Sequence, residues 1–274
     1  MAAFQFNDPG SSFHHLLISN TPSLSSLARG EWGKTGLPGA HPSERKDLGQ
    51  MVPHGTTVLA LRYQEGVIMA GDRRATEGYT ISERRIEKVH KADATSAIAI
   101  AGAAGPCLEL TRLFQTELEH YEKLEGVELS MDGKANKLAQ MIKANLPMAM
   151  QGLVVVPIFS GYDLKRETGR IFKYDIAGGR YEETEYYAIG SGGKDARGTM
   201  KKIFKIDLHR DKAIRVALEA LYDAAEADVA TGGPDLVRGI FPNVKVITQQ
   251  GVKDVGDEEI RTLLEEMVQE LGGR

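Results

Sequence analysis

The bond between Gly55 and Thr56 lies in Pro53-His54-Gly55-Thr56-Thr57-Val58, where a loose stretch meets an apolar, β-branched one. Cutting that bond would leave Thr56 with both a hydroxyl and a free α-amine. Because such an amine has an unperturbed pKa of about 7.7 to 8.0, a useful fraction is unprotonated at neutral pH and can take the hydroxyl proton. Nucleophile and base would then share one residue. Gly55 suits self-cleavage, since a residue without Cβ tolerates the strained backbone that lets Thr56 Oγ approach its carbonyl. A Gly-Thr step is also common at ordinary strand starts, so the dipeptide alone decides nothing.

Two charged positions add to it. Asp72 and Arg73 close an apolar run, and Lys88 falls inside the alternation Ile86-Glu87-Lys88-Val89-His90. With a strand period of two, Ile86, Lys88 and His90 share one face. A lysine there either faces solvent or is buried against a partner, since lysine is almost never fully buried unpaired. Buried beside Asp72, it would stay protonated, lower the Thr56 hydroxyl pKa by its charge and hold the nucleophile in place.

Other chemistry-bearing residues read as structural. Gly190-Ser191-Gly192-Gly193-Lys194 lacks the spacing of a phosphate-binding loop. Cys107, the single cysteine, sits one residue into a helix and reads as a packed or partly exposed structural thiol. His14, His15, His41 and His54 have no ligand spacing, and with no CxxC pair neither a metal nor an organic cofactor is expected.

The elements that must position Thr56, Asp72 and Lys88 come in runs. Thr56–Tyr63 and Val67–Ala70 flank Gln64-Glu65-Gly66 as an antiparallel hairpin, because a parallel crossover needs a dozen or more residues. Ile86–His90 and Ser96–Ala101 read as further strands. Pro106 opens a helix along Leu110, Phe114, Leu118 and Tyr121, and Leu138, Met141, Ile142 and Leu146 mark a second. Strands return at Gly152–Phe159, Gly169–Ile176 and Glu185–Ile189, followed by a Gly/Ser turn at Gly190–Gly193. A helix containing Ile214, Ala217, Leu218 and Leu221 comes next, then a hairpin of Val244–Ile247 and Val252–Val255, and a C-terminal helix with Ile260, Leu263, Leu264, Met267 and Leu271. Segregated runs of this kind indicate an α+β fold, antiparallel sheet in the centre and helix pairs outside.

Composition divides the 274 residues at position 55. Residues 1–55 hold Pro9, Pro22, Pro38, Pro42 and Pro53, half of the ten prolines, and the only tryptophan, Trp32, which is leader-like usage with at most a short helix in Phe13–Leu27. Their charges cancel, so the net charge of −4 belongs to residues 56–274, and it argues against a broad basic nucleic-acid surface. No apolar run is long enough to span a membrane, and Met1–Asn20 lacks the basic and apolar regions of a secretory signal. The expected compartment is the cytoplasm.

Taken together, Thr56-Thr57-Val58, Gly71-Asp72-Arg73-Arg74-Ala75-Thr76, Lys88, Ile100-Ala101-Gly102, Tyr187 to Gly193 and Asp228-Val229-Ala230-Thr231-Gly232-Gly233-Pro234-Asp235 resemble the β subunits of the 20S proteasome, in their actinobacterial form. The resemblance covers the chain from Thr56 onward. It implies an N-terminal nucleophile hydrolase fold, a four-layer αββα sandwich with two central antiparallel sheets. Residues 1–55 become a propeptide removed at Gly55-Thr56, and residues 56–274 the catalytic domain. Thr56 becomes the nucleophile of a threonine endopeptidase, with Asp72 and Lys88 as its charged supports. Ser191, Asp228 and Thr231 match the positions that hydrogen-bond around the Thr56 amine, the last being commonly serine in the family. Gly102 matches the backbone oxyanion donor, and Thr76 a position that pairs with the substrate backbone. Ala75, Ile86, His90, Ile100 and Ala104 match the side-chain pocket, whose walls, without a carboxylate, suit apolar or aromatic residues. The implied partners are other β subunits in a heptameric ring, two such rings stacked, proteasome α subunits closing the ends, and an ATP-dependent ring unfoldase delivering protein substrates. Two rivals are an N-terminal nucleophile amidase outside the proteasome and a non-catalytic ring subunit.

Overall fold

Residues 55–78 and 80–272 are described by the computed structural model. The expected leader, apart from Gly55, and the short helix considered for Phe13–Leu27 lie outside them.

The first strands are buried almost throughout rather than alternating, Arg62 being the exception, as expected of strands covered on both faces. β1 (Thr57–Tyr63) and β2 (Gly66–Gly71) form the expected hairpin, with Tyr63 opposite Gly66. They lie in a five-stranded antiparallel sheet with β10 (Tyr186–Gly190), β11 (Asn243–Thr248) and β12 (Gly251–Asp254), in the order β10-β1-β2-β11-β12. A second antiparallel sheet runs β5-β6-β7-β8-β9, from Val89–Lys91, Ser96–Gly102, Val155–Asp163, Thr168–Tyr174 and Arg180–Glu183. A small hairpin, β3 (Ala75–Glu77) with β4 (Thr80–Glu83), stands apart from both.

Side chains of successive residues go to different cores. Val58 and Ala60 of β1 join Met69, Ala97, Ala99, Ile158 and Ile171 between the sheets. Leu59 and Leu61 point the other way, into a core with α4 (Gly193–Ile203), α5 (Arg210–Ala227) and α6 (Asp257–Gly272). The second sheet turns Ile98, Phe159 and Phe172 onto α1 (Ala104–Glu125) and α2 (Met131–Ala144), which the short α3 (Leu146–Ala149) follows. Phe159 is fully buried, edge-on to Phe114 at 5.5 Å and stacked on Phe172 at 6.0 Å. Burying one such side chain stabilises the fold by roughly 1.5–3 kcal/mol. Helices, sheet, sheet and helices make the four-layer αββα sandwich.

Three local expectations change. The strand expected over Ile86–His90 begins only at Val89, and Ile86, Glu87 and Lys88 are irregular backbone leading into it. The Gly/Ser turn runs directly into α4, whose polar sequence GKDARGTMKKI hides its buried residues Ala196, Thr199 and Met200. Helix α1 begins at Ala104, so Pro106 lies at its third position and Cys107 at its fourth, still inside the first turn where a missing N–H costs nothing.

Candidate functional site

Thr56 immediately precedes β1 and is 7% exposed. Its hydroxyl donates to the carbonyl of Gly55 at 2.6 Å. Gly55 takes φ +121°, and a Cβ there would stand 2.6 Å from Thr76 Oγ1 and 2.8 Å from Ala230 Cβ, so no other residue fits without strain. Pairing of β1 with β2 delivers Asp72 beside the start of β1, where its N–H bonds the carbonyl of Thr57.

Asp72 is fully buried and accepts from four donors. The Thr57 N–H and Lys88 Nζ reach Oδ1 at 2.8 and 2.7 Å, while the N–H groups of Arg74 and Gly232 reach Oδ2, both at 2.9 Å. Lys88 is buried too, which settles the choice between solvent and a buried pair. Its Nζ also donates to the carbonyls of Gly55 at 3.0 Å and Arg74 at 2.5 Å. Burial pulls the Lys88 pKa down and the Asp72 carboxylate opposes that pull. Three oxygen acceptors need three N–H donors, and only the ammonium form has them.

A second polar group lies across β1. Ser191 Oγ and Thr231 Oγ1 both donate to Asp228 Oδ2, at 2.5 and 2.6 Å, and the Ala230 N–H reaches Oδ1 at 3.2 Å. Burial pushes the Asp228 carboxyl upward, but these bonds, with the charge of Lys88, outweigh it and hold it below the ordinary carboxylate value. Asp228 caps the C-terminus of α5, and Ser191 closes β10, so two elements supply the group. Ser191 touches Thr56 directly, its N–H donating to the Thr56 carbonyl at 3.0 Å. Thr231 instead meets the hydroxyl of Thr57, at 2.6 Å.

Two clefts flank Thr56. One is lined by Ala75, Ile86, His90, Ile100 and Ala104, all five of the expected pocket residues, together with Lys88 and Cys107. It also contains Glu87, which corrects the expectation of walls without a carboxylate. The irregular backbone before Val89 does not hold strict alternation, so Ile86, Glu87 and Lys88 all border the same space. Glu87 is offset by Lys245, 3.2 Å away. Burial lowers the His90 pKa and pushes the Cys107 thiol up to about 12, which fits an inert side chain. The other cleft is bordered by Val154, Val156, Ile189, Ser191 and Arg197, whose guanidinium lies 5.2 Å over the Tyr187 ring. Gly102 borders both clefts with φ +132°, a Cβ there running into the Val154 carbonyl at 2.0 Å. Thr76 is buried on β3 next to Gly55 and lines neither cleft as described.

Five contributors escaped the sequence reading. Arg74 and Gly232 act through backbone groups, which leave no side-chain signature. Thr57 and Arg197 carry side chains whose roles depend on chain segments more than a hundred residues away or on α4, and Glu87 was assigned to the opposite face of a strand. Among the described residues no cluster of three or more His, Cys, Asp or Glu is placed to hold a metal ion, and no helix is long and apolar enough to cross a membrane.

The family model described as "Proteasome subunit" matches residues 52–237. The chain belongs to the proteasome subunit family. Among curated relatives, the proteasome subunit beta of Acidimicrobium ferrooxidans is 58% identical over 230 residues, 83% of this chain and 84% of that protein. Those of Acidothermus cellulolyticus and Frankia alni are 50% and 52% identical, covering 96% and 94% of this chain and 88% and 90% of theirs. Membership supports a peptidase subunit that assembles with α and β subunits in a proteasome core.

Proposed function

We propose that this chain is a proteolytic β subunit of a proteasome core, a threonine endopeptidase made as a precursor and activated by its own cleavage between Gly55 and Thr56. The observation that carries the reading is the seat of Thr56: its hydroxyl is 2.6 Å from the Gly55 carbonyl oxygen, and the Lys88 ammonium donates to that same oxygen. Residues 1–55 are the propeptide and residues 56–274 the working subunit.

Processing follows from the seat. Thr56 Oγ attacks the Gly55 carbonyl carbon while Lys88 stabilises the charge that grows on its oxygen. The C–N bond to Thr56 breaks, its nitrogen takes the proton that Oγ gives up, and an ester joins Gly55 to Oγ. Water hydrolyses that ester, leaving Gly55 as a free carboxylate and the Thr56 hydroxyl beside its α-amine. In each later cycle the amine takes the Oγ proton as Oγ attacks a substrate carbonyl, then passes it to the departing amine. Water cleaves the acyl-enzyme with the amine again as base. Lys88 and Asp72 keep positive charge beside Oγ, Ser191, Asp228 and Thr231 surround the amine, and the Gly102 N–H assists the oxyanion. Thr76 pairs with the substrate backbone by strand addition. The first cleft takes the side chain before the cut, with a preference for apolar or aromatic groups.

The partners are α subunits, other β subunits in a heptameric ring stacked on a second ring, and an ATP-dependent unfoldase acting through the α rings in the cytoplasm. Intact-mass analysis after co-expression with an α subunit tests the reading. Wild type should lose its first 55 residues, whereas Thr56→Ala should stay uncut at this bond and show no peptidase activity. Equal cutting in both would overturn it.

A further inference from the structure

Thr57 is fully buried at the start of β1, a position where valine would fill the same volume without a polar atom to satisfy. Its hydroxyl accepts from the Gly192 N–H at 3.0 Å and lies 2.6 Å from Thr231 Oγ1. Thr231 Oγ1 is in turn 2.6 Å from Asp228 Oδ2, an oxygen shared with Ser191 Oγ. The proton direction along this chain is fixed by its ends. A backbone N–H can only donate and an ionised carboxylate can only accept. Thr231 therefore gives its proton to Asp228, and Thr57 gives its proton to Thr231. The main-chain N–H of Thr57 meanwhile binds Asp72 at 2.8 Å, so one residue ties the Asp72–Lys88 pair to the Asp228 group.

We propose that Thr57 is a positioning residue for the Thr56 reaction, its hydroxyl orienting the Thr231–Asp228 pair. The inference rests on the reading of Thr56 as nucleophile with its own amine as base. With its proton committed to Asp228, the Thr231 oxygen is left as an acceptor, the role the proposed reading gives it toward the Thr56 amine, while Ser191, bound to the same Asp228 oxygen, holds the Thr56 carbonyl through its N–H at 3.0 Å. An amine whose N–H bonds meet acceptors keeps its lone pair turned toward the hydroxyl proton it must remove. Without Thr57, the Thr231 hydroxyl loses its donor and is held by its bond to Asp228 alone.

The test uses the full chain assembled with its α subunit, with Thr57→Val, Thr57→Ser and Thr231→Ala made singly and Thr57→Val combined with Thr231→Ala. Thr57→Val should lower kcat about tenfold, the scale of one lost hydrogen bond, and leave KM within about twofold. Thr57→Ser should restore kcat. In the Thr231→Ala background Thr57→Val should cost nothing further, because residues acting through one network are not additive. Full kcat in Thr57→Val, or losses that multiply in the double variant, would overturn the inference. If Thr57→Val fails to assemble, Thr57→Ala, which adds no volume, takes its place in both comparisons. Peptidase activity in Thr56→Ala would instead overturn the reading beneath, so the two failures are distinguishable.

Discussion

Gly55 shows how far one residue's backbone decides the chemistry beside it. With φ +121° and Thr76 and Ala230 within 2.8 Å of any Cβ, Gly55→Ala carries a strain of about 1–3 kcal/mol. That strain displaces the carbonyl that Thr56 and Lys88 hold, so self-cleavage should slow at least about tenfold, read as persistence of precursor in an intact-mass time course. Cys107 offers the opposite case, a reactive residue type made unreactive by its place. With its thiol pushed up to about 12, alkylation by iodoacetamide at pH 7.5 should run on the order of a thousandfold slower than for an ordinary thiol, measured by mass shift. Thr56, Asp72 and Gly55 were legible because hydroxyl, carboxylate and glycine carry their chemistry in their type. For Lys88 the residues left two readings open, since nothing within Ile86–His90 distinguishes a solvated lysine from one held by an aspartate on the neighbouring hairpin.

Elements place these residues, and the placement was partly readable. The β1–β2 hairpin stood out because two apolar runs are joined by a connection too short for anything but an antiparallel pair. Helix α4 did not, because only Gly193, Ala196, Thr199 and Met200 are buried among charged neighbours, too sparse a stripe to see without its sheet. Nor did the β3–β4 hairpin or β9, which are short and mostly polar. At the far end of the second sheet, Arg170 on β8 is nearly buried and joins Asp132 of α2, Asp163 of β7 and Glu182 of β9, at 2.9, 2.9 and 2.7 Å. Hydrogen bonds from Arg170 are the main reason the Asp132 carboxyl is held down at about 2. A depressed folded value means a contribution fully present above the unfolded value of 3.8 and lost as pH falls toward 2. Thermal midpoints of wild type should therefore fall across that window by more than those of Asp132→Asn, while the dependence above pH 5 stays the same.

At the scale of the whole chain, the composition changes at residue 55, and the proposed cleavage between Gly55 and Thr56 falls at that change. Trp32 is the only tryptophan. Maturation should thus abolish indole emission on excitation at a wavelength selective for tryptophan, and loss of that signal from the purified subunit should track loss of the precursor mass. Assembly with other subunits leaves no comparable trace, because surfaces that meet other subunits use the same apolar residues as a core. The grip of Lys88 on the Gly55 carbonyl carries one more consequence. On the proposed reading, while that bond lasts the seat of Thr56 already has a tenant, and no neighbouring chain can be cut there. The precursor would then be kept harmless by occupancy, and the act that vacates the seat would be the first reaction it performs.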